Sequence, residues 1–110
     1  MSPSTGLSRR MAWASAYITR LQGGETVRFR ARGSAMSPDF EAGAVCTVAP
    51  VDPALVVEGD IVLCKVGGSE YLHLVAARDG DRYRIGNRKG RINGWIGPEL
   101  IYGRLVHVAP

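Results

Sequence analysis

The residues with the most chemistry in this 110-residue chain fall in three segments. The first is Arg32-Gly33-Ser34-Ala35-Met36-Ser37-Pro38. Its glycine permits a sharp backbone turn, and its small side chains leave amide N–H groups uncovered. A turn of that kind can present a nucleophile beside oxyanion-binding donors. On residue types alone it is also an ordinary strand-to-loop turn. The second segment centres on His73, in the apolar run Tyr71-Leu72-His73-Leu74-Val75. An imidazole there is a candidate general base or a hydrogen-bonded core residue. The third runs from Arg84 through Gly86-Asn87-Arg88-Lys89-Gly90-Arg91-Ile92-Asn93-Gly94 to Trp95. Arg82, Arg84, Arg88, Lys89 and Arg91 make it the most basic stretch of the chain. With Trp95 as a stacking ring, it is a candidate nucleic-acid contact. The plainer reading is a solvated loop with Trp95 packed on a sheet.

The elements that must position these residues follow from periodicity. Leu7, Met11, Ala14, Ile18 and Leu21 recur at spacings of three and four, which predicts an amphipathic helix over 8–22. Gly23-Gly24 stops it. Its apolar stripe docks on the domain or, through Met11 and Ile18, on a partner. From Val27 the period changes to two, with Phe29 and Ala31 alternating with Arg28, Arg30 and Arg32. Further strands are expected over 44–49, 61–66, 71–77, 83–85 and 102–108. The turns between them are marked by Pro50, Glu58-Gly59-Asp60, Gly67-Gly68 and Asp79-Gly80-Asp81. The expected fold is mostly β, a coiled antiparallel sheet or partial barrel after one N-terminal helix. Residues 1–24 form the helical segment and 25–110 the β domain.

Composition narrows the classes. One domain with one modest core fits 110 residues that are 45% hydrophobic. A net charge of +4 keeps nucleic acid or an acidic surface open as a partner without requiring either. No run approaches about 18 apolar residues, so no membrane span is expected. Arg9-Arg10 before the short apolar run at 11–18 is read as part of the helix, not as a targeting signal. Cys46 and Cys64 lack metal-like spacing; a disulfide between them is open but nothing requires it, and they read as free thiols of a reducing compartment, which points to the cytoplasm. Nothing calls for a cofactor or metal. The oligomeric state is not legible.

The order of the segments carries more than any one of them. A Gly-x-x-Met-x-Pro box at 33–38 is followed by Gly43, then Gly59-Asp60-Ile61-Val62, then a strand holding His73, then a Gly-Asn loop. This succession resembles the LexA/signal-peptidase superfamily of serine peptidases over residues 27–108. The resemblance implies that family's coiled β fold and an extended peptide or protein substrate. It implies a nucleophile at position 35, where the family has serine and this chain has Ala35. His73 matches the general base of the histidine-type members. Ser34 and Met36 would border the cleft, with backbone N–H groups at 35 and 36 as the oxyanion hole. The family's later acidic residue is missing between Gly86 and Asn93, so Asn87 or Asn93 is left to orient His73.

Alanine cannot attack a carbonyl, and loss of a serine nucleophile costs about 10⁶ in rate. The chain as written is therefore expected to be inactive. Neighbouring side chains on an extended segment alternate, so Ser34 points away and Ser37 sits too far along to substitute. Two readings of Ala35 stay open: a pseudo-peptidase that keeps its cleft for strand binding, or a serine-to-alanine variant of an active enzyme. The alternative class is a non-catalytic basic binding module for nucleic acid or a protein partner. The chain reads as a stand-alone soluble module, without a membrane anchor or a three-helix DNA-binding headpiece.

Overall fold

The computed structural model describes residues 12–110. The expected helical positions 8–11, and with them Leu7, Met11 and the Arg9-Arg10 pair, lie outside the described residues. One helix, α1 (Ser15–Gln22), and seven strands follow. The strands are β1 (Val27–Arg30), β2 (Val45–Ala49), β3 (Ile61–Val66), β4 (Ser69–Asp79), β5 (Arg82–Gly86), β6 (Ile92–Ile96) and β7 (Ile101–Ala109). They form one open sheet in the order β1-β2-β7-β3-β4-β5-β6. Every neighbouring pair is antiparallel. The mostly-β expectation holds, with one α-helix among the described residues. No helix among the described residues is long and apolar enough to cross a membrane.

The core lies on both faces of the sheet, and β3 shows why. Ile61 and Leu63 join the cluster under α1, with Ala14, Ile18, Leu21, Val27, Phe29 and Met36. Val62 and Cys64, on the alternate face, join Val75, Tyr83, Ile85 and Ile96. A strand covered on both faces reads as a continuous apolar run, as the sequence does from Ile61 to Cys64. The expected stripe is buried at all three of its described positions, Ala14, Ile18 and Leu21. Cys46 belongs to the first cluster and Cys64 to the second, and both thiols are free.

Two expectations need correction. Residues 12–14 are a turn, not helix. The helix begins where the buried carboxylate of Glu70 takes the Ala14 N–H (2.6 Å) and the Ser15 hydroxyl (2.9 Å). An acid at that end satisfies amides that have no partner inside the helix and complements its dipole. The basic stretch is also not all loop, since β6 occupies Ile92–Ile96 and pairs with β5 from Tyr83↔Ile96 to Gly86↔Ile92. Asn93 and Gly94 have low strand propensity. Tertiary pairing overrides that preference here.

Candidate active-site cleft

The cleft is built where the segment after β1 meets β4. Ala31 follows the alternation of β1 into the core, and Arg32 stays exposed. Gly33 then takes φ +70°, a left-handed conformation that a side chain would strain. The chain turns tightly through 34–39, with Ser37 N–H donating to the Ser34 carbonyl (3.1 Å) and Asp39 N–H to the Met36 carbonyl (2.8 Å). The Ser37–Pro38 peptide is cis. Met36 is buried in the first cluster and anchors the turn.

Ala35 and His73 line the same cleft, of about 120 Å³. Its floor is apolar, from Phe29, Ala31, Met36, Phe40 and Leu72, and Trp13 and Arg32 stand at its rim. Neither the Ala35 nor the Met36 N–H has an acceptor among the described residues. Two uncommitted amides at such a turn are what an oxyanion hole requires. Ser34 is exposed and does not line the cleft. The Ser37 hydroxyl donates to the Glu41 carboxylate (2.7 Å), so it is turned elsewhere.

His73 sits on β4 opposite Val62, half-buried, with its ring 4.7 Å from that of Tyr71. Its Nδ1 lies 2.7 Å from Oδ1 of Asn93. An amide oxygen only accepts, so Nδ1 carries the proton and Nε2 keeps its lone pair. That is the tautomer a general base needs. Burial holds the imidazole below the ordinary histidine range; the Asn93 hydrogen bond opposes this, and the charge of Arg91 adds to it. The ring therefore stays neutral to lower pH than an ordinary histidine.

Asn93, not Asn87, is the partner of His73. The side-chain oxygen of Asn87 accepts from Lys89 N–H (2.9 Å) and Arg91 N–H (3.1 Å), which shapes the β5–β6 turn. Residue types did not separate the two asparagines. The β5–β6 pairing does, because it steps from Ile85↔Gly94 to Gly86↔Ile92 and leaves Asn93 as the bulged residue of β6, while Asn87 stays in the connecting turn.

That hairpin also holds the other half of the site. Arg88 donates its backbone N–H to the Ala35 carbonyl (3.1 Å). Its guanidinium pairs bidentately with Asp39, one bond being Nη2 to Oδ1 at 3.2 Å. Sequence reasoning assigned Arg88 to a nucleic-acid contact and did not single out Asp39. Their separation, 49 residues, leaves no local signal. Gly86 completes the support, since a Cβ there would meet the Arg91 carbonyl oxygen at 2.7 Å.

The fold divides the basic stretch. Arg82 and Arg84 lie on β5, and the Arg84 guanidinium is 5.9 Å from the centre of the half-exposed Trp95 ring. Arg88, Lys89 and Arg91 lie in the turn beyond Gly86, the other end of a strand that spans roughly 13 Å. Asp79 and Asp81 border Arg82 and Trp95, and Asp39 neutralises Arg88. Trp95 is not packed into the sheet. No family model matches the chain, and no curated protein matches it.

Proposed function

We propose that this chain is a serine-peptidase-like domain of the LexA/signal-peptidase type, whose cleft binds an extended peptide and whose nucleophile position is Ala35. The observation that carries the reading is the shared cleft of Ala35 and His73, with His73 held by Asn93 in the base-competent tautomer. A hydroxyl at position 35 would give its proton to Nε2 of His73 as its oxygen attacks the peptide carbonyl. The carbonyl oxygen would gain negative charge, and the free N–H groups of Ala35 and Met36 are suited to donate hydrogen bonds to it. Asn93 keeps the ring oriented but, being neutral, adds no charge stabilisation to the imidazolium. As written, the chain binds without cleaving.

The test is Ala35→Ser, alone and combined with His73→Ala. The single variant is expected to self-cleave or to take up a serine-directed acylating probe, and the double variant to do neither. A folded Ala35→Ser protein that neither cleaves nor labels would remove the catalytic reading. The basic-module reading has weaker support, because its cations are divided between β5 and the turn that follows it and are partly paired with acids.

A further inference from the structure

The charges around the cleft are unbalanced. Arg32 lines it, with the guanidinium carbon 5.8 Å from the centre of the Trp13 ring. Neither Arg32 nor Arg91 makes an ion pair among the described residues. Residues 1–11 contain no Asp or Glu that could supply one. The acid within the cleft, Glu70, is already committed. Its oxygens accept from Ala14 and Ser15, and Lys65 lies 4.0 Å away. The other nearby acid, Asp39, is held by Arg88. Arg91 stands close enough to His73 for its charge to disfavour the imidazolium. The cleft therefore has an apolar floor and, at its rim, the unpaired positive charge of Arg32.

We infer that the peptide this cleft takes carries a carboxylate side chain two residues from the apolar residue that fills the floor. The inference rests on the peptide-binding reading above and adds the class of sequence recognised. Side chains two apart on an extended strand lie on one side, about 7 Å from each other. A peptide residue over Ala31, Met36 and Leu72 thus brings the side chain two positions along to the rim, where Arg32 is poised by its stacking on Trp13. A guanidinium that rests on an aromatic face keeps its N–H fork free for a carboxylate. A nucleic acid fits less well. The aromatic rings here pack on one another, Trp13 edge-on to Phe29 at 5.3 Å, and do not offer an open face for a base.

The experiment uses the chain as it stands, since Ala35 prevents turnover. The probes are two end-blocked, dye-labelled alanine-rich nonapeptides with a central valine. One has aspartate two positions to either side, and the other has asparagine there. Anisotropy gives affinity, and the NMR shift of the His73 ring reports occupancy of the cleft. The aspartate peptide is expected to bind about twofold to fivefold more tightly per charge engaged. That ratio falls towards one near 1 M salt, where the screening length is about 3 Å. Arg32→Gln removes the preference, whereas Arg28→Gln, on the exposed side of β1, keeps it. Equal affinity for both peptides, with the His73 shift present, overturns this inference and leaves the cleft as a peptide site. No binding and no His73 shift with either peptide overturns both. A twelve-residue oligothymidine that displaces the aspartate peptide and loses affinity in Arg32→Gln overturns the inference in favour of a nucleic acid.

Discussion

At His73 three influences act on one ring. Burial disfavours the charged form, the Asn93 hydrogen bond favours it, and the Arg91 charge disfavours it. The net direction is down, so the ring stays neutral to lower pH than an ordinary histidine. NMR titration is expected to give a midpoint below 6.5. Arg91→Gln should raise it and Asn93→Ala lower it further. The neutral ring's contribution to stability is full above the unfolded-state value and is lost as pH falls through the lower folded-state value. Thermal melts should therefore drop on acidification through that window, and less so in His73→Phe. The thiol of Cys64 is the opposite case, because burial pushes its pKa up to about 12. A native-state thiol reagent should leave Cys64 unmodified until denaturant is added, and modification at native conditions would contradict its burial.

Two elements carry the cleft. One is the strap formed by Trp13, Ala14 and Ser15, which Glu70 ties to the start of β4. The indole Nε1 donates to the Glu70 carbonyl at 3.0 Å, and the carboxylate holds the start of α1. Removing that carboxylate leaves the buried Ala14 N–H unsatisfied. Glu70→Ala should cost about 2–4 kcal/mol in urea unfolding, with Glu70→Gln costing less. The other element is the β5–β6 hairpin, which grips His73 through Asn93 and the Ala35 turn through Arg88. Asp39→Asn should leave the melting temperature nearly unchanged, since the pair is exposed. Amide exchange should nevertheless accelerate at Arg88, because the Arg88–Asp39 pair and the Arg88–Ala35 hydrogen bond hold one turn between them.

Across the whole molecule the two core clusters share β3, whose alternate residues belong to each. Neither cluster can be lost without unpairing that strand, so unfolding should be one cooperative transition. Trp13, at the α1 side, and Trp95, on the edge strand β6, provide separate probes. Single-tryptophan variants should give coincident denaturant midpoints, and well-separated midpoints would mean that the clusters unfold independently. Charge is also decided at this scale. A stretch that is dense with arginine in sequence is divided between β5, where Arg82 and Arg84 lie, and the β5–β6 turn, where Arg88 is paired with Asp39.

By itself, the sequence determined the parts whose signal is local. Alternation at Val27–Arg30, the unbroken run at Ile61–Cys64 and the glycine turns placed most strands within a residue or two, because pleat and burial impose those patterns directly. The turn at Gly33 and the helical stripe at Ala14, Ile18 and Leu21 were legible for the same reason. Tertiary structure alone decided the rest. It set the start of α1, which Glu70 fixes from 56 residues away, and the strand at Ile92–Ile96, where pairing with β5 overrides the turn preference of Asn93 and Gly94 and leaves Asn93 at a bulge. It also chose Asn93 over Asn87 and turned Arg88 from a surface cation into the partner of Asp39 and Ala35. Each of these depends on hydrogen bonds between segments far apart in the chain. No short-range residue pattern encodes a long-range partner.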